Sequence, residues 1–339
     1  MPDQPAHCRV HSSGSDSVSR REFLGGAAAG TAFGAVGFPQ VFAEAAAPKP
    51  PSRSKVVEVT NPAWQEGRRV NAVVVRRMLE QALMELTGKS SGADAWRQFV
   101  SPTERVGVKF NKITGNVSGA NQALGDAILG GLVQAGVKRE NIIVVEAVGA
   151  EFPGTGRYDG AYGPEVHTPH GTTRLTRFIR EQVDAVINVP DLKEHDRAGV
   201  TLSLKNLSHG ASIMLEPWKF HSGYCSPHIG ELHALKPIAG KRRLNLLNGL
   251  RGIFHLGPTP RGRQWQWDRN SLFVSTDPVA LDAICLDIIQ EKRRSNPEGI
   301  PIVDLFETRR RPVHIADAAQ MGLGIADRQQ IDWVRVAQD

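Results

Sequence analysis

Two hydrophobic rhythms alternate along this chain of 339 residues from about residue 55 onward: short β-branched runs and longer stretches at helical spacing. Residues 55–59 predict a strand. Asn71 then caps a helix reaching Leu86, with Val74, Met78, Leu79, Ala82, Leu83 and Leu86 recurring every three or four positions. Val106, Val108 and Phe110 alternate as a second strand, residues 121–135 form a helix stopped by Gly136, and residues 141–146 (NIIVVE) read as a buried strand. A strand apolar on both sides needs cover on both faces. This strand-helix-strand unit therefore predicts an α/β fold: a mostly parallel central sheet with helices on both faces.

Residues 149–172, rich in Gly, Pro, Tyr and His, lack periodicity and read as a long excursion of the functional kind. A basic helix is expected over 173–182 and a strand over 184–189 (DAVINV), ended by Pro190. A helix follows over 200–207, and Ser226-Pro227 opens another through Leu235. Strands over 242–247 and 271–275 come next. Asp277-Pro278 caps a helix to about Lys292, and residues 331–336 close the sheet. In a parallel sheet, strand ends near Asn111, Glu146, Pro190, Asn248 and Thr276 share one edge, where α/β folds bind ligands. Residues 55–339 thus read as a single α/β domain.

The first 45 residues follow a different logic. Arg20-Arg21 precedes a mildly apolar, glycine-rich run to Phe42, and Ala43-Glu44-Ala45 offers small residues for cleavage after Ala45. That is the pattern of a twin-arginine (Tat) signal peptide over 1–45, followed by a proline-bearing linker over 46–54. The expected partner in export is the Tat translocon, the expected location periplasmic or extracellular, and no stable transmembrane segment remains after cleavage. Cleavage removes three basic and four acidic residues and raises the net charge from +6 to +7. In an exported protein that excess favours acidic small molecules over nucleic acid. Of three cysteines, Cys8 leaves with the signal, and the remaining two, Cys225 and Cys285, cannot build an iron–sulfur cluster. No glycine-rich phosphate loop follows any expected strand, which argues against a nucleotide enzyme.

Two segments carry chemistry that a core does not need. After the strand over 184–189 come Lys193, Glu194, His195, Asp196 and Arg197, and then Lys205 and Asn206 among leucines expected to be buried. Donors at a strand tip suit an anionic ligand, and a buried lysine needs either water or a partner. The second segment holds His221, Cys225, His228 and His233. Imidazoles and a thiol make His221 and His228 candidate ligands for one divalent metal ion, with substrate binding or loop packing as alternatives and a Cys225–His228 nucleophile as a third. Asp277 is explained as a helix cap. Asp282 lies on a helix apolar on nearly every face, so its carboxylate must find a partner, for which Lys193 and Lys205 are candidates.

The succession VGVKFN (106–111), DAVINVPDLKEH (184–195), GVTLSLKN (199–206), His228, Asn248-Gly249 and STDPVALDA (275–283) resembles the family called domain of unknown function 362, over about residues 104–290. The resemblance implies an α/β fold and carries no activity. It marks Lys109, Asn111, Lys193, His195, Lys205, Asn206, His228, Asp277 and Asp282. Two departures stand out: Asn248-Gly249 replaces the family's Asp-Gly, and His255-Leu256-Gly257-Pro258 replaces a glycine-rich turn. The ferredoxin-type cysteines that some members carry are absent. The reading that results is a site for an anionic small molecule at the strand ends. Lys193, His195, Lys205, His228 and Asp282 are its catalytic candidates, and Lys109, Asn111, Asn206, Asn248 and Asp277 its ligand-binding ones. A binding or accessory protein would use the same pocket without turnover.

Overall fold

The computed structural model describes residues 52–210, 213–214, 220–295, 304–308 and 310–338. The expected signal peptide and residues 46–51 of the linker lie outside the described residues. The linker's last residue, Ser54, already belongs to the first strand, β1 (Ser54–Thr60).

Chain order then runs through helix α1 (Ala72–Thr87), α2 (Gly92–Trp96), β2 (Val106–Lys109), α3 (Asn121–Gln134) and β3 (Ile142–Val145). Next come the hairpin β4 (Tyr162–Thr168) and β5 (Gly171–Thr176), then β6 (Ala185–Asn188), β7 (Asp191–His195), β8 (Gly199–Val200) and α4 (Leu202–Leu207). After β9 (Ile213–Met214) follow α5 (His228–Ala234), the 12-residue β10 (Arg242–Ile253), β11 (Gln266–Ser275), α6 (Pro278–Arg294), α7 (His314–Gln320) and β12 (Ile331–Ala337). Local chemistry sets the main helix ends. Asn71 accepts from the Val74 amide at the start of α1, Gly88 (φ 69°) closes it in the left-handed conformation, and Asp277 accepts from Val279 and Ala280 at the start of α6.

Among the described residues the central sheet has nine strands, ordered β12-β1-β11-β10-β6-β2-β3, with β7 and β8 attached beside β10. The stretch β10-β6-β2-β3 is parallel, as is β1 with β12, so the sheet is the mostly parallel α/β sheet expected. Strand alternation divides the core. Val57 and Val59 of β1, Leu272 and Val274 of β11 and Ile187 of β6 face α1 and α3, while Val56, Phe273 and Val186 face α4, α5 and α6.

Three expectations fail, each for a tertiary reason. The excursion and the basic helix over 173–182 are largely the β4–β5 hairpin, followed by one wide turn at Phe178–Gln182. Thr172, Thr173 and Thr176 are β-branched, and burial of Thr173 and Leu175 alternates with exposure of Arg174. The chain does not leave the sheet at Pro190: DLKEH, expected only as donors at a strand tip, is a fully buried strand of its own, β7, lying parallel to β10. Finally, β11 runs antiparallel to β10. Thr276 and Asp277 therefore lie at the opposite edge from the C-terminal ends of β2, β3 and β6.

Candidate functional site

At that C-terminal edge a cleft of about 570 Å³ opens, walled by Lys109, Asn111, Glu146, Lys193, His195, Thr201, Lys205, Asn206 and His209, with Tyr158 and Tyr162 contributed by the excursion. Two non-glycine residues on its wall or beside it have left-handed backbone: Glu146 (φ 62°), just past β3, and Leu202 (φ 47°), which opens α4. Such conformations persist only where their surroundings hold them, and they concentrate at sites.

The three lysines are all buried, at 1%, 1% and 4% exposure for Lys109, Lys193 and Lys205. They differ in partners. Lys109 Nζ donates to Glu146 Oε2 at 2.9 Å. Lys193 Nζ donates to Asn111 Oδ1 at 2.8 Å and to Thr114 Oγ1. Burial drives the Lys193 amine and the nearby Asp191 carboxyl towards neutrality, and their mutual attraction opposes this. Lys205 makes no hydrogen bond or ion pair among the described residues; its Nζ lies 5.0 Å from the centre of the Phe220 ring. Burial pushes its pKa down to about 8 against the opposing pull of Cys225 and Asp196, and Lys109 adds a little to the lowering.

Four buried asparagines fix this wall by hydrogen bonds that all run one way. Asn245 Nδ2 donates to Ser275 O, Asn188 to Asn245 Oδ1 at 2.9 Å, Asn206 to Asn188 Oδ1 at 2.8 Å, and Asn111 to Asn206 Oδ1 at 2.8 Å. The last acceptor, Asn111 Oδ1, is the one that receives Lys193 and also the amide and hydroxyl of Thr114. Each carboxamide orients the next, and the chain ends on an oxygen that accepts from the Lys193 amine.

Asp282 acts through α4 rather than on a lysine. It is fully buried and accepts from the Ser203 and Leu204 amides at 2.7 and 2.9 Å, which caps the helix carrying Lys205 and Asn206. Burial lifts its pKa to about 8 against those two donors. His233 secures the same helix from the side: its Nε2 donates to Leu204 O at 2.7 Å, and its Nδ1 accepts from Arg242.

His195 lies at the cleft with its tautomer set. Nδ1 accepts from the amides of Arg197 at 3.0 Å and Ala198 at 3.4 Å, so in the neutral ring the proton sits on Nε2. The Asp196 carboxylate is 3.2 Å from the same Nδ1, a contact that would favour a charged ring. The two amides already occupy that nitrogen as an acceptor, and burial with Lys205 nearby holds the imidazole well below its usual pKa. His195 is therefore a hydrogen-bond donor at neutral pH rather than a base. His221 stacks on it, ring centres 5.4 Å apart, and His209 meets His221 edge-on.

The cleft thus gathers Lys109, Asn111, Lys193, His195, Lys205 and Asn206, and leaves out the other sequence candidates. His228 lines a separate pocket with His170 and Thr173, beside the His170–Glu231 pair. With His221 stacked on His195, the two proposed metal ligands serve different places, and among the described residues no group of three or more His, Cys, Asp or Glu could hold a metal ion. The Cys225 thiol is raised by burial to about 11, the wrong direction for a nucleophile, and Cys225 and Cys285 are both free and buried. Asn248 sits one layer behind, where its Nδ2 donates to Asp191 Oδ1 at 3.1 Å. Asp277, at the far edge, accepts from Val279, Ala280, Ile325 and Ser54. Sequence reasoning took Glu146 only as a strand end and passed over Asp191, Thr201, His209, Asn188 and Asn245. Asn188 had a signal, since it is the lone amide in the otherwise apolar strand AVIN.

Residues 136–287 match the family model described as Domain of unknown function (DUF362). That stretch contains β6, β7, α4 and most of the cleft, while Lys109 and Asn111 precede it. No curated protein and no solved structure matches the chain. Among the described residues no helix is long and apolar enough to cross a membrane.

Proposed function

We propose that this chain binds a small anionic molecule in the lysine cleft, and that it does so as a protein exported through the twin-arginine route. The observation that carries the reading is Lys205: an amine 4% exposed, beside two other buried lysines, with no acceptor among the described residues. Glu146 answers Lys109, and Asp191 and the Asn111 carbonyl answer Lys193. Asp196 offsets part of the Lys205 charge without a hydrogen bond to it, and the rest is costly in a low-dielectric site unless a bound anion answers it. His195 Nε2–H, the Thr201 hydroxyl and the tyrosines supply neutral donors for the rest of such a ligand.

The test is thermal unfolding and calorimetric titration of the mature protein with acetate, lactate, phosphate and glycerol phosphate, repeated for Lys205→Met. An anion present at about a hundred times its Kd raises stability by about 2.7 kcal/mol. The reading expects such a rise in the wild type and its loss in Lys205→Met; an indifferent wild type would sink it. For export, replacing Arg20 and Arg21 together by lysine should retain the protein in the cytoplasm, and continued export would remove that part of the proposal.

A further inference from the structure

We infer that Lys205 condenses with the ligand: the cleft takes a small anion that also carries an aldehyde or ketone carbonyl, and the Lys205 amine forms an imine with it. This rests on the anion-binding reading and narrows its substrate class.

The partner pattern singles out Lys205 from its neighbours. Lys109 is tied to Glu146, and Lys193 gives hydrogens to both Asn111 and Thr114, so either amine could attack only after breaking bonds the fold has built. Lys205 has nothing to break among the described residues. Its stem is fixed by α4, which Asp282 caps and His233 braces, and the Phe220 ring lies beside the nitrogen. Burial beside other cations favours the uncharged, nucleophilic amine, the environment in which lysines of carbonyl chemistry are found. Its pKa, lowered to about 8 by burial, runs in that direction. As an ammonium Lys205 draws the anion into the cleft, and as the uncharged amine it attacks the carbonyl of the ligand bound there. Thr201 adds an independent mark of something missing, because the residue is 3% exposed, lines the same cleft and has a buried hydroxyl with no hydrogen-bond partner among the described residues.

The step balances without an oxidant. The lone pair of neutral Lys205 Nζ forms the C–N bond while the carbonyl π pair moves to oxygen. That oxygen takes a proton and the nitrogen loses one, giving the carbinolamine. The C–O bond then breaks with a second proton delivered to the departing oxygen, the nitrogen gives up its remaining proton, and the products are imine and water. His195, whose Nε2 carries the ring proton, and Thr201 are the wall groups able to donate to that oxygen.

Borohydride trapping tests this on the mature wild-type protein. Pyruvate and glycolaldehyde phosphate serve as carbonyl probes, lactate and glycerol phosphate as their carbonyl-free counterparts, with intact mass and peptide mapping as the readout. The expected result is one reduced adduct per chain on the peptide containing Lys205, from at least one carbonyl probe, and none from the counterparts. Which probe reacts separates a carboxylate ligand from a phosphate. Thermal stabilisation by probes and counterparts alike, without an adduct at Lys205, overturns the imine and leaves the anion site standing. No stabilisation and no adduct overturn both, and an adduct on Lys193 or scattered over surface lysines overturns the assignment to Lys205. Lys205→Met should abolish the adduct, and because the wild-type mapping is decisive alone, a poorly folded variant does not blur the outcome.

Discussion

The two edges of the central sheet both bury charge and treat it in opposite ways. At the far edge Asp277 closes on partners of its own chain: the amides of Val279, Ala280 and Ile325 at 2.8 to 2.9 Å and the Ser54 hydroxyl at 2.5 Å. At the cleft edge, among the described residues, Lys205 has no acceptor and the Thr201 hydroxyl in the same cleft is unpartnered. A buried charge satisfied within the chain holds the fold together. One left open costs stability, and a folded chain tolerates it where something outside completes it. Mutating the two edges should therefore give opposite results.

The largest effect is expected at the closed edge. Asp277→Ala strands three buried amides and should lower unfolding free energy by about 3–5 kcal/mol, at roughly 1–3 kcal/mol per unsatisfied group less what relaxation and water recover. Its folded fraction should still bind anion with wild-type affinity in calorimetry at low temperature. Loss of binding there would mean the two edges are not separable. Asp282→Ala joins the edges, since its carboxylate is structural but the helix it caps carries Lys205. It should cost about 2–4 kcal/mol by denaturant melts and also weaken anion binding. A stability loss with binding intact would show that α4 keeps its place without the cap.

The asparagine chain offers an intermediate case. Asn188→Leu removes a link that donates to Asn245 and to the Ser203 carbonyl and accepts from Asn206. About 2 kcal/mol should be lost. Anion affinity should fall as well, because Asn206 and through it Asn111 lose the bond that sets their orientation. If affinity is unchanged, the relay supports the sheet and does nothing for Lys193.

How far these distinctions were legible in the sequence follows from which of them are local. The caps at Asn71 and Asp277 and the helical spacing of Val74 to Leu86 depend on neighbours within a few positions, and those elements stand where the pattern put them. The βαβ rhythm likewise declared the α/β class. The direction of β11 is not local: SLFVS reads the same whether parallel or antiparallel, and only its pairing with β10 sends Asp277 to the far edge. DLKEH reads as polar because its burial is supplied by β10 and by α6, distant in sequence. Lys109, Lys193 and Lys205 drew notice as cations near strand ends and leucines, yet nothing in one dimension says which has acceptors. That difference arises from Glu146, just past β3, and Asn111, just past β2, which the fold brings to the lysines.

The smallest stability effect is expected where the functional effect is greatest. Lys205→Met exchanges an unpartnered buried amine for an apolar chain of similar length, so at pH 7 stability should hold or rise by about 1 kcal/mol while anion binding disappears. The pH dependence sharpens this. Lys205 is shifted from 10.5 to about 8 by folding, so below pH 8 both folded and unfolded chains carry the proton and the full cost of the buried charge is present. Between pH 8 and 10.5 the unfolded chain still holds a proton that the folded chain has released, and stability attributable to Lys205 must rise with pH. The wild-type-minus-variant difference in unfolding free energy isolates that slope from the other titrating groups. It should climb from pH 8 to 10 in the free protein and flatten when a saturating anion keeps the ammonium charged. A flat difference without ligand would mean that Lys205 is solvated after all, and the contrast between the two edges would then vanish with it.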